Sequence, residues 1–232
     1  MQKNKIEILS TKRLDKAIDS DDIVIDEIPF IETRGIDDGS VKKKIQQLSG
    51  QQIHAIFTSR NAAEMVGKYV AKNEPWKIYC TGDKTKDTIL HFFPCAFIAT
   101  VAENAADLAW IILKDISVKS VIFFCGNQRR DELPEILVQN GIDMEEVMVY
   151  ETISRPVTIT KEYDGVLFFS PSAVESFFSK NKLNDNTICF AVGNTTAHAI
   201  EKFSGNKIIT AVRATQQSIL DAVLATFNLL NK

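Results

Sequence analysis

A chain of 232 residues, 45% hydrophobic and 25% charged, can form one large globular domain or two small ones. Its formal net charge of -3 implies no broad basic face, which argues against a nucleic-acid binder and leaves any anionic ligand to local donors. Cys80, Cys95, Cys125 and Cys189 have no C-x-x-C spacing, His54, His91 and His198 form no ligand pair, and no apolar stretch approaches about 18 residues. The expectation is a cytoplasmic protein with free thiols and no metal site, signal peptide or membrane span.

Residues 6–10 read as a strand, Thr11-Lys12-Arg13 as a turn into a helical stretch reaching about Ser20, and 23–33 as an extended run broken by Pro29. Ser40 to Leu48 reads as a helix closed by Gly50. Next come a strand over 53–59, a helix from Asn61 with Glu64 in cap spacing, a strand over 76–80, and a helix opened by Gly82. A strand over 96–101 precedes a helix capped by Asn104 with Asp107 at its third position. The strand at 121–126 leads to a turn and helix ending at Asn140-Gly141, and 147–153 is extended again. Continuous apolar strands alternating with helices indicate an α/β protein with parallel sheets.

Displaced by 111 residues, positions 53–112 lie on 164–223 without a gap, matching Phe57 to Phe168, Ser59 to Ser170, Gly82 to Gly193 and Thr85 to Thr196. A weaker correspondence sets 6–33 beside 121–152. The matched turns bring Thr58-Ser59, Gly82 to Thr85, Ser170-Pro171-Ser172 and Gly193 to Thr196 to the starts of helices. Free backbone N–H groups and small hydroxyls there suit oxyanions, and open α/β sheets bind ligands at those strand ends. In 167–177, Ser172 with Glu175 reads as a capping box, so Ser172 either only caps its helix or also meets a ligand. No phosphate-loop, dinucleotide or nucleophile-elbow motif is present. Tyr150, in the extended VYETI, either donates a proton to a leaving group or packs its ring and bonds the backbone. Asn127, Arg129 and Arg130 either meet a carboxylate or form a solvated turn.

Together IFTSRNAAEMV, IYCTGDKTKDTI, GNQRRDELPEILVQNGIDMEEVMVYET, VLFFSPSAVESFF and CFAVGNTTAHAI resemble the uroporphyrinogen-III synthase family in order and spacing. The resemblance implies two similar flavodoxin-like parallel-sheet domains with a cleft between them. One would hold 1–32 plus 154–232 and the other 35–147, joined by connector strands at 29–34 and 148–153. It implies a cofactor-free lyase, a monomer taking neither nucleic acid nor membrane. The reaction closes hydroxymethylbilane, a linear polycarboxylate tetrapyrrole, to uroporphyrinogen III with loss of water and inversion of the last pyrrole. Tyr150 matches the tyrosine proposed to protonate the departing hydroxyl. Thr58, Ser59, Thr85, Ser170, Thr195 and Thr196 match hydroxyl positions around the substrate, and Ser172 joins them from its turn. The chain departs from the family at Lys12, where an arginine is usual, and after Ser59, where a proline is common. The alternative is a non-catalytic two-domain binder of polycarboxylates or tetrapyrroles.

Overall fold

The structure, a computed structural model, describes residues 5–15, 20, 22–70 and 74–227. In chain order its elements are β1 (Ile6–Ser10), β2 (Ile23–Glu27), β3 (Ile31–Gly35), α1 (Gly39–Leu48), β4 (His54–Phe57), α2 (Arg60–Gly67), β5 (Lys77–Thr81) and α3 (Asp83–Phe92). β6 (Phe97–Ala102), α4 (Ala105–Lys114), β7 (Ser120–Gly126), α5 (Glu132–Gln139) and β8 (Asp143–Ser154) follow. The chain then runs through β9 (Gly165–Phe168), α6 (Pro171–Phe178), β10 (Ile188–Ala191), α7 (Asn194–Glu201), β11 (Ile208–Thr210) and α8 (Gln216–Thr226). It divides into two compact units, a middle one of Thr33–Thr152 and a terminal one of Met1–Glu32 with Ile153–Lys232.

The middle unit's sheet runs β3-β8-β7-β4-β5-β6, and β8-β7, β7-β4, β4-β5 and β5-β6 all pair in parallel. Side chains on successive strand residues point to opposite faces, so each strand feeds two cores. Ala55, Phe57, Ile78 and Phe124 pack with α1, α2 and α3 on one face; Ile56, Tyr79 and Phe123 pack with α4 and α5 on the other. Helices on both faces explain why these strands read as unbroken apolar runs.

The terminal unit's sheet runs β11-β10-β9-β1-β2, again in parallel. Leu9, Val166, Phe168 and Cys189 meet α6 and α7, while Ile8, Leu167 and Phe190 meet α8. Read as β6-β5-β4-β7-β8, the middle sheet superposes strand for strand on this order. The weak correspondence between 6–33 and 121–152 therefore has a topological counterpart: β1 and β2 stand where β7 and β8 stand.

The stronger repeat is reproduced element by element. His54 and Gly165, Arg60 and Pro171, Lys77 and Ile188, Asp83 and Asn194, Phe97 and Ile208, and Ala105 and Gln216 each begin corresponding elements 111 residues apart.

Two sequence expectations need correction. Ser172 does not cap α6: Ser170 does, its Oγ accepting from the Ala173 N–H at 3.2 Å, with Pro171 in the first turn. Proline is pre-shaped for that position and needs its cap just before it, so the helix starts earlier than the S-x-x-E spacing suggests. By the same shift Ser59, not Asn61, caps α2, accepting from the Asn61 N–H at 3.2 Å. Thr11 and Lys12 bend as the expected turn, and most of the helical stretch expected after it, 16–19, lies outside the described residues. The Asn104 cap holds: its Oδ1 accepts from the Asp107 N–H at 2.9 Å, and its Nδ2 donates to the Asp107 carboxylate at 2.7 Å.

Candidate active site

The middle sheet grows outward from β4 in one direction through β5 and β6, and in the other through β7 and β8. Where strand order reverses, the loops leaving neighbouring strands part and open a crevice at the carboxyl ends. A cavity of about 350 Å³ lies at that reversal, lined among others by Thr58, Ser59, Gly126, Arg129 and Tyr150. Three of the expected site residues, Thr58, Ser59 and Tyr150, are thereby brought together. The α2 N-terminus reaches this cavity through Ser59, and no acidic residue occupies its first turn. The α4 N-terminus also reaches it, through Asn104 and Ala105, but Asp107 already offsets the partial positive charge there.

Tyr150 is half-buried, and its ring lies on the α-carbon of Gly126. A Cβ at Gly126 would stand 2.5 Å from Tyr150 Cε2 and closer still to Cζ, so only glycine fits beneath that ring. The seat arises from a slip in the β7–β8 ladder. Cys125 pairs with Met148, yet Gly126 pairs with Tyr150, leaving Val149 as the extra residue.

Of the two readings open for Arg129, the structure decides against a free carboxylate receptor. Its Nε donates to Glu146 Oε2, its Nη2 to Glu146 Oε1 at 2.8 Å, and its Nη1 to Asp131. Glu146 first and Asp131 second push the guanidinium pKa further above its usual value. Asn127 turns its carboxamide onto the backbone of Thr152, accepting from its N–H at 2.8 Å and donating to its carbonyl at 3.3 Å. Cys125 is no nucleophile here, because burial first and the Glu146 charge second push its thiol up to about 11.

Thr85 and Thr196 sit at the third positions of α3 and α7 with side chains buried at 6% and 2% exposure. That position faces the core, and neither hydroxyl is among the residues lining the cavity at the middle sheet's reversal. Thr195 is exposed on α7, whose Gly193 cap contributes no side-chain bond. Ser170 and Ser172 are half-buried at the start of α6, their hydroxyl oxygens 3.4 Å apart. At the terminal sheet's own reversal, between β1 and β9, the Lys12 ammonium stands 4.5 Å from the centroid of the Phe169 ring. In the sequence Lys12 stands out only as a departure from the family pattern. Its position places a cation next to the Ser170 turn.

Among the described residues no cluster of three or more His, Cys, Asp or Glu could hold a metal ion, and no helix is long and apolar enough to cross a membrane.

The family model described as Uroporphyrinogen-III synthase HemD matches residues 12–221. The chain belongs to the uroporphyrinogen-III synthase family. Members are cyclising lyases of tetrapyrrole biosynthesis. Among solved structures, the uroporphyrinogen-III synthetase of Helicobacter pylori is similar with a TM-score of 0.64 at 18% identity, over 95% of this chain and 99% of that one. A mutant uroporphyrinogen III synthase of Thermus thermophilus is similar with a TM-score of 0.65 at 13% identity, over 96% of this chain and 99% of that one. At such identities the structures speak for the shared α/β fold with two parallel-dominated sheets. The family match carries the activity.

Proposed function

We propose that this chain closes hydroxymethylbilane to uroporphyrinogen III, with Tyr150 as the proton donor and the strand-end turns as carboxylate holders. The observation that carries the reading is the phenol of Tyr150 seated on Gly126 at the reversal of the middle sheet, inside a chain whose family match spans 12–221. In this reading the phenol protonates the terminal hydroxyl of the substrate. The carbon–oxygen bond breaks with its electron pair leaving in water, and the adjacent pyrrole becomes an electrophilic azafulvenium cation. Attack by the far end of the chain gives a spiro intermediate, whose reopening inverts the last pyrrole before the ring closes. The phenolate recovers a proton released as the new ring regains aromaticity.

Most of the rate enhancement in this reading comes from holding a flexible linear chain in its ring-closing conformation. Helix starts without acids suit that task because each offers N–H groups and a partial positive charge to a carboxylate. The first turns of α2, α6 and α7 hold no acidic residue, and Ser59, Ser170, Ser172 and Thr195 stand at those starts. The finer architecture belongs to the same proposal: two flavodoxin-like domains, 1–32 with 154–232 and 35–147, joined by the segments 29–34 and 148–153 and binding substrate with turns of both. The protein acts as a cytoplasmic monomer in this reading.

Incubation with hydroxymethylbilane and separation of the product isomers tests the activity. Type III product is expected to dominate. A product mixture rich in type I, the isomer that forms without enzyme, would contradict the reading and leave a binder without catalysis.

A further inference from the structure

We infer that Asn127 is a positioning residue for the Tyr150 phenol, an inference that rests on Tyr150 being the proton donor. After the ladder slip, Gly126 is both the partner of Tyr150 and the last residue of β7. The strand that supports Tyr150 therefore ends at the residue on which its ring lies, and Glu151 and Thr152 have no further β7 residue to pair with. Asn127 supplies the missing rung. Its main-chain N–H donates to the Tyr150 carbonyl at 3.3 Å. Its side-chain oxygen accepts from the Thr152 N–H at 2.8 Å, and its side-chain nitrogen donates to the Thr152 carbonyl at 3.3 Å. A carboxamide can copy a backbone rung in this way because it carries one acceptor and one donor at peptide-like spacing.

The consequence is directional. The slip and the glycine set where the ring lies, while the Asn127 bonds fix the backbone on the C-terminal side of Tyr150 and so limit the swing of the phenol. The Asn127 side chain is exposed and lies outside both hydrophobic cores of the unit, so losing it removes little folding energy. A purely structural role would change stability slightly and leave proton delivery alone. A positioning role shows in kcat, because displacement of a reacting group by about 1 Å can lower a rate by about a hundredfold.

The experiment compares type III formation from hydroxymethylbilane by the full chain and by Asn127→Ala, Asn127→Asp, Tyr150→Phe and the Asn127→Ala/Tyr150→Phe double variant, with thermal melts of each. Asn127→Ala is expected to lower kcat about tenfold with KM within about twofold. Asn127→Asp keeps the acceptor for the Thr152 N–H and is expected to recover part of that loss. In the Tyr150→Phe background, Asn127→Ala is expected to change kcat by less than about twofold, because the group it positions is gone. An equal loss in both backgrounds, an effect on KM alone, or unchanged kcat would overturn the inference. Should Asn127→Ala not fold, Asn127→Asp with and without Tyr150→Phe gives the same comparison. Full turnover by Tyr150→Phe alone would instead bring down the proton-donor reading, and the positioning role with it.

Discussion

Gly67 and Phe178 occupy corresponding places in the two units, and each is fitted to a phenylalanine that the repeat keeps. In the middle unit a Cβ at Gly67 would stand 2.5 Å from both Cβ and Cγ of Phe92, so that ring takes the space itself. In the terminal unit the counterpart ring, Phe203, stacks on Phe178 with centroids 5.4 Å apart and planes 4° from parallel. One packing problem has thus been solved twice, with the volume moved between partners. The frame is constrained by the cores, and the units differ where the chain meets solvent. At their helix starts, α3 and α4 carry Asp83 and Asp107, whereas α7 and α8 carry no acid in the first turn. The terminal unit also has Lys12 at its sheet reversal, and the middle unit has Tyr150 at its own. Under the proposed function the contrast would divide the work, with anion holding chiefly in the terminal unit and proton delivery in the middle one.

The largest expected effect probes the part the units share. Phe57 and Phe168 are corresponding residues, both fully buried, the first stacked on Phe124 at 5.1 Å and the second on Phe178 at 5.8 Å. Phe57→Ala and Phe168→Ala should each cost about 3–5 kcal/mol in chemical denaturation. A cost below about 1 kcal/mol in only one of them would show that the two frames are not packed alike.

A smaller effect tests the division of labour. Asn194 opens α7 where Asp83 opens α3, so Asn194→Asp gives the terminal turn the acid of its counterpart. The substitution should stabilise the fold by about 0.3–1 kcal/mol through the helix dipole and raise KM about two- to fivefold by repelling a carboxylate. A gain in stability with unchanged KM would remove α7 from the substrate site.

The smallest expected effect belongs to the middle unit alone, because the counterpart of His54 is Gly165. Burial first and the Lys77 charge second lower the His54 pKa, and its Nδ1 lies 3.2 Å from the Tyr79 hydroxyl. The unfolded chain then takes up a proton at higher pH than the folded one. Stability should therefore fall as pH drops below about 6.5, the ordinary value for histidine. Denaturation midpoints measured between about pH 7.5 and 5.5 should show a shallower decline for His54→Gln than for the unaltered chain. Equal slopes would mean that this histidine does not set the dependence.

Much of the frame is legible in the sequence because its signals are local. Continuous apolar strands, the Asn104 cap and Gly50 at a positive φ of 77° all follow from neighbours in sequence. The cap of α6 is easily misread because two local signals overlap, and the fixed φ of Pro171 outweighs the Ser172–Glu175 spacing. Thr85 and Thr196 are legible in the sequence as hydroxyls beside turns, but their burial is not, because it depends on which way each helix faces. The site's supports are not legible for a different reason. Arg129 meets Glu146, and Asn127 meets Thr152, across the β7–β8 ladder, and the slip that seats Tyr150 on Gly126 leaves no mark in either strand's pattern. Such contacts depend on register, which the chain fixes only when folded.

The most direct test is the rate of type III formation from hydroxymethylbilane by Tyr150→Phe, which removes one oxygen and leaves the ring on Gly126. Loss of turnover by about a hundredfold or more, with type I product accumulating in its place, is the expected result. Turnover near that of the unaltered chain would contradict the assignment of proton delivery to the middle unit.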